Sequence, residues 1–169
     1  MKKIFFLFCG LWLIITGAEA GEPDRGYRGY VDFAIGDAYN LNTAQTISTN
    51  NMQWYCEFTT THGYVLKNWF IGGGLGYYHS FRDKENMYPI FAAGRYIFEK
   101  VKIKPFIEVR GGIVYDPRWV RQVQAYGALV AGVKVYKTLQ IGLRGTFFSR
   151  PSRYFTGNAA IILSYAFGR

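Results

Sequence analysis

The chain has 169 residues, 19% of them aromatic, with 20 Gly against 5 Pro and a formal net charge of +9. One domain is expected at this length, and an aromatic- and glycine-rich, proline-poor balance favours strands and tight turns over helices or disorder. The Lys and Arg residues are not gathered on one helix or one compact stretch, so a nucleic-acid partner is excluded and the positive excess is expected to meet anionic lipid headgroups or to aid solubility.

At the N-terminus, Lys2 and Lys3 precede an apolar run from Ile4 to Ile15 and a small-x-small site at Ala18-Glu19-Ala20. This pattern predicts a secretory signal peptide over residues 1–20, cleaved before Gly21, because the run is well short of the ~20 residues of a membrane-spanning helix. Cys9 lacks the small neighbours of a lipidation site. Residues 21–169 then form the one domain, carrying 18 basic and 10 acidic side chains and a single cysteine, Cys56. No intramolecular disulfide is available to it.

Alternation between turn signals predicts eight strands, at about Gly26 to Gly36, Met52 to His62, Asn68 to His79, Met87 to Phe98, Lys102 to Tyr115, Gln122 to Tyr136, Thr138 to Phe148 and Gly157 to Phe167. The last shows the period-two pattern most plainly, with Ala159, Ile161, Leu163, Tyr165 and Phe167 on one face. Connections alternate in length. Gly63 to Lys67, Glu99 to Val101 and the turn at Lys137 are short, while Asp37 to Asn51, Ser80 to Asn86, Asp116 to Arg121 and Ser149 to Thr156 are longer and more polar. Short periplasmic turns and long external loops give outer-membrane barrels this asymmetry.

The apolar faces hold Tyr27, Val31, Phe33 and Ile35 on the first strand, Ile103, Pro105, Ile107, Val109, Ile113 and Tyr115 on the fifth, and Leu139, Ile141, Leu143 and Phe147 on the seventh. The opposite faces collect Arg28, Asp32, Glu57, Arg95, Lys104, Glu108, Arg110, Lys134 and Arg144. The sorting is most informative in the first and fifth strands, where two and three charges agree in phase.

Alternation alone fits a membrane barrel with an enclosed charge network or a secreted soluble barrel with an apolar ligand cavity. Aromatics near both ends of the apolar faces favour lipid outside: Tyr27, Trp69, Tyr96, Phe98 and Phe167 toward one rim, Trp54, Tyr77, Tyr88, Tyr115 and Phe147 toward the other. Acid and base on the enclosed face can satisfy each other. Inward Gly72, Gly74 and Gly76 leave room for long side chains, so a plugged lumen with no open pore is expected.

The terminal Tyr165-Ala166-Phe167 is similar to the aromatic-x-Phe assembly signal of bacterial outer-membrane barrels, although Gly168 and Arg169 follow it here. From about Gly26 to Phe167, including Thr-Thr-His-Gly-Tyr at Thr60 to Tyr64, the chain resembles the small eight-stranded barrels of the OmpA and OmpX type. The resemblance implies an all-β, eight-stranded antiparallel up-and-down transmembrane barrel with a polar, side-chain-filled lumen, monomeric and exported to the bacterial outer membrane. It also implies outer-membrane lipids, including lipopolysaccharide, as neighbours.

Evidence for chemistry is sparse. His79, Ser80 and Asp83 lie within five residues and resemble the catalytic sets of barrels that modify lipid A by hydrolysis or acyl transfer. Those deacylases carry His-x-Ser, whereas adjacent residues on a strand face opposite ways. Palmitoyl-transferring barrels carry an amphipathic helix before the first strand, where this chain has only Gly21 to Arg25. His62 is expected at the end of the second strand. Gly72 to Gly76 lacks the Lys and Ser or Thr of a phosphate-cradling loop, and Cys56, between Trp54 and Phe58, is expected to act as a small hydrophobe. No metal-ligand spacing or cofactor signature is present. Arg82, Lys84, Arg118, Arg121, Arg150 and Arg153 lie in the loops with Asp37, Asp83, Glu85 and Asp116, beside Trp119 and Tyr154, where lipopolysaccharide phosphate is the expected anion. The expectation is a non-enzymatic barrel with a structural, stress-related or surface-contact role.

Overall fold

A computed structural model describes residues 25–40, 53–82, 84–98, 103–117, 123–149 and 155–168. The proposed signal peptide lies outside the described residues, as do Asp83, Arg118, Trp119, Arg121, Arg150, Arg153 and Tyr154.

The described residues form β1 (Arg25–Asn40), β2 (Gln53–Leu66), β3 (Trp69–Ser80), β4 (Glu85–Ile97), β5 (Pro105–Tyr115), β6 (Gln124–Lys134), β7 (Leu139–Ser149) and β8 (Phe155–Phe167). Each pairs antiparallel with its chain neighbours, and β8 returns to β1 in a closed barrel. Tracing partners once round from Arg28 through Gly63, Gly72, Ala93, Arg110, Ala128, Thr146 and Asn158 returns to Ala38, ten residues farther along β1. A stagger of that size on eight strands tilts them ~40° from the axis. Closure leaves no strand edge unpaired, which hydrocarbon demands of any spanning sheet.

Several boundaries differ from the sequence reading. β1 continues to Asn40 because Asp37 pairs with both Trp54 and Ala159. β2 runs past His62 to Leu66, and the turn into β3 is Lys67 and Asn68 alone, with Lys67 at φ 55°. The connection between β3 and β4 shrinks to residues 81–84, with Lys84 at φ 49°. Lys104 is not a strand residue: at φ 42° it precedes β5 at Pro105, so the β4–β5 connection is longer than expected. Tyr136 lies in the turn after β6.

Burial alternates along every strand. Phe33, Ile35, Ile71, Leu75, Ile90, Ile107, Val109, Ile113, Leu129, Ile141, Leu143, Ile161 and Leu163 point out of the barrel and are exposed, while Asp32, Glu57, Arg95, Glu108, Arg110 and Arg144 are buried. This inverts a water-soluble protein, and the belt matches the apolar band of a transmembrane barrel. The alternative of a soluble barrel with charges outside is thereby overturned. Among the described residues no helix is long and apolar enough to cross a membrane.

The seam between β1 and β8 has its own lock. Phe167 lies over Gly29, where any Cβ would collide with the ring, and its edge meets His62 with centroids 5.6 Å apart. A ring covering a strand glycine compensates for the missing side chain.

Candidate functional site

Ion pairs occupy the middle of the lumen. Arg110 donates to Glu108 and Asp32, and at 3.0 Å to Thr59, with its guanidinium over Phe91. Arg95 donates to the other oxygen of Glu108 and to Gln140, and lies 3.8 Å above the Tyr30 ring. Asp32 also accepts from Thr59 and Ser164. Glu108 therefore bridges two arginines, and the chain Asp32, Arg110, Glu108, Arg95, Gln140 crosses the interior between β1, β4, β5 and β7. A separate pair joins Arg144 to Glu57 at 2.5 Å. Arg28 is buried near the end that carries the chain termini, and no carboxylate among the described residues is seen to pair with it. Lys134, half-buried, ends β6 at the same rim.

The lumen is less polar than the sequence implied. Tyr30, Phe70 and Phe106 form a layer below the charges, with Tyr30 and Phe70 edge to face at 4.9 Å. Tyr55, Tyr78, Phe91, Tyr126 and Phe148 form a second layer toward the loop end, with centroids 4.8–5.8 Å apart. Gly74 admits the Phe91 ring, which fills the space where its Cβ would stand. Aromatic layers lie on both sides of the ion pairs, and shielding from water strengthens the pairs they enclose. These aromatics went unnoticed because they share strands with outward aromatics and differ from them only in parity.

The ten girdle residues all face outward. Tyr27, Trp54, Trp69, Tyr77, Tyr88, Phe98, Tyr115 and Phe147 are exposed, and Tyr96 and Phe167 are half-exposed. Asp116, expected as a loop charge, is instead buried at the end of β5.

The structure separates His79 from Ser80. Ser80 points into the barrel, 3% exposed, with its hydroxyl unpartnered, whereas His79 points outward. His79 Nδ1 lies 2.8 Å from Asn86 Oδ1, which also accepts from the Tyr77 hydroxyl at 2.7 Å. An amide oxygen facing Nδ1 can only accept, so that ring nitrogen donates to Asn86. The residue opposite His79 on β2 is Cys56, and opposite it on β4 is Asn86. Cys56, His79 and Asn86 thus form one outward row across three strands, level with the girdle at the loop end. Sequence reasoning missed this row because only the pairing register joins residues so far apart in the chain. A second outward histidine, His62, bonds Tyr27 at 2.5 Å and Thr60 at 2.9 Å near the terminal end. Among the described residues no His, Cys, Asp and Glu cluster has metal-binding geometry.

No family model matches the chain and no curated protein matches it. Solved structures do. Neisserial surface protein A superposes with a TM-score of 0.56 at 12% identity, over 83% of this chain and 97% of that one. The outer membrane enzyme PagL superposes with a TM-score of 0.62 at 15% identity, over 80% and 98%. At such identities the shared property is the fold: this chain is a small, closed, eight-stranded antiparallel transmembrane β-barrel.

Proposed function

We propose that the chain is a bacterial outer-membrane barrel that works through its outward wall and loop-end rim, in a structural or surface-contact role, and conducts nothing through its lumen. The observation that carries this reading is the layered interior: ion pairs buried to 2% exposure or less, shut in by aromatics on both sides, inside a wall of exposed aliphatic residues. The end carrying both chain termini and the short Lys67–Asn68 turn faces the periplasm, as the loop asymmetry of such barrels requires. The loop end, where Arg82 and Lys84 are exposed, then meets the phosphates of lipopolysaccharide.

Membrane fractionation and planar-bilayer recording test this together. The protein is expected to leave membranes only with detergent and to give no steady conductance. Release by salt or alkali, or a stable open channel, overturns the reading.

A further inference from the structure

The two ends of the barrel differ in charge. The described carboxylates fall in the central network, as Asp32, Glu57 and Glu108, or at the loop end, as Asp37, Glu85 and Asp116. At the terminal end every described charge is positive: Arg25, Lys67 and Lys137 are exposed on the rim, with Arg28, Lys104 and Lys134 farther in. Arg28 stands apart from the others. It faces the lumen at 5% exposure, and its Nε is buried without a hydrogen-bond partner. A guanidinium withdrawn from water needs a counter-anion, and no described residue supplies one there. Along β1 the inward Tyr30 separates Arg28 from Asp32, and along β5 the inward Phe106 separates this end from Glu108. Arg95 already occupies the far side of that layer, 3.8 Å above the Tyr30 ring and 4.5 Å above Phe106.

The register brings two more cations to the level of Arg28. Because pairing climbs ten residues in one circuit of the eight strands, a level circuit steps back a little over one residue per strand. From Arg28 that path passes Phe70, Ile97, Pro105 and Lys134, and returns by Ala166. Lys134 has the inward parity of Ala128 and Val130 and pairs with the buried Gln140. Lys104 directly precedes Pro105, and its carbonyl accepts from the Lys134 N–H at 3.2 Å. β5 and β6 lie across the barrel from β1, and an eight-stranded interior is only as wide as the side chains that fill it. Arg28 and Lys134 thus extend from opposing walls into one narrow mouth, with Lys104 beside it.

The number of cations selects the class of anion. A carboxylate offers one charge on two oxygens, whereas a phosphomonoester offers between one and two charges on three strong acceptor oxygens. The Arg fork matches two of those oxygens, and Lys acts on the group as a point charge. We propose that the terminal mouth is a cradle for a phosphomonoester, with Arg28 donating to two of its oxygens and Lys134 and Lys104 balancing the remaining charge. The layer of Tyr30, Phe70 and Phe106 forms the floor, so the anion enters from the terminal end and goes no farther. Tyr27, Trp69 and Phe98 face outward at the same level, and such a girdle marks headgroup depth. A phosphomonoester lipid and free phosphate both reach a mouth at that depth. The inference adds a ligand to the membrane placement above and rests on it only for the choice between those sources.

The test uses the full chain, freed of residues 1–20 and folded in octyl glucoside micelles, which carry no phosphate and leave both ends of the barrel accessible. Inorganic phosphate and short-chain phosphatidic acid are titrated in separate arms and followed by phosphorus NMR line width. Saturable binding in one arm identifies the source, and binding in both identifies the phosphoryl group itself as what is held. Short-chain phosphatidylglycerol, a diester, and acetate are expected to bind more weakly than the phosphomonoester. R28M is expected to weaken binding by at least about tenfold, the loss of charge-assisted hydrogen bonds, and R28K to restore only part of it because it lacks the fork. K67M, on the exposed turn outside the cradle, is expected to cost less than R28M. Folding of each variant is checked by the gel mobility of unheated protein, and K134M, at a half-buried strand end, carries the same test if R28M does not fold. Binding in neither arm overturns the proposal, as does acetate bound as tightly as phosphate or binding unmoved by the cradle substitutions. Equal losses from K67M and R28M also overturn it, since they mark a diffuse basic rim. A barrel that inserts and conducts nothing, yet gives any of those results, refutes this inference alone.

Discussion

Arg110→Leu is the most informative single change to the lumen. It removes the cation that Asp32 and Glu108 share and the bond to Thr59, at a site only 2% exposed. Glu108 keeps Arg95 on its other oxygen, so one of its lone pairs is stripped rather than its charge abandoned. Asp32 fares worse, because it retains only the hydroxyls of Thr59 and Ser164. Breaking a buried pair by removing one partner costs about 3–5 kcal/mol, and retention of Arg95 places this case near 3. Pairing the substitution with Asp32→Asn removes the stranded charge, so the double variant is expected to recover about 2 kcal/mol, within the range of coupling between contacting residues. Urea unfolding in bilayers, followed by tryptophan fluorescence, measures each midpoint and slope. A single variant within about 0.5 kcal/mol of the parent, or a double variant no more stable than the single one, refutes the assignment of Arg110 to a buried network.

Other perturbations separate wall from interior. Val109→Arg, at an exposed mid-strand wall position, is expected to destabilise the barrel in lipid by about 2–4 kcal/mol, read by the same unfolding curves. Phe167→Ala uncovers Gly29 at the β1–β8 seam and is expected to cost about 1 kcal/mol and to slow barrel closure in refolding kinetics. Ser80→Ala removes a buried hydroxyl without a partner and is expected to leave the midpoint unchanged or raise it slightly, since the parent bears that group's desolvation cost.

The barrel was legible wherever charges labelled the inward phase. Arg28 with Asp32, and Glu108 with Arg110, set the parity of β1 and β5, and the bulky residues between them then had to face lipid. Parity fails as a guide where both faces are apolar. Tyr30 and Phe106 share the parity of those charges, but on β3, which carries none, Phe70 looks in sequence much like Trp69 and Ile71, and which of them fills the lumen follows from closure rather than local pattern. Strand ends were misplaced for a related reason: the two-residue turn at Lys67 and Asn68 carries no glycine or proline, and it stands because Lys67 adopts a left-handed backbone conformation that favours glycine. The outward row is the deepest case. Cys56 looked like a small hydrophobe, His79 appeared tied to its chain neighbour Ser80, and Asn86 fell in a loop. Only the stagger of β2, β3 and β4 aligns them.

Spin labels on single cysteines, introduced at Leu143 and Ile161 in a Cys56→Ser background, test the inside-out arrangement most directly. These residues are register partners on β7 and β8, both exposed on the wall. In vesicles, both labels are expected to relax rapidly with dissolved oxygen, which concentrates in hydrocarbon, and hardly at all with a water-soluble nickel chelate. Labels that prefer the chelate, or that neither reagent reaches, contradict a wall of aliphatic side chains facing lipid around an enclosed core of charge.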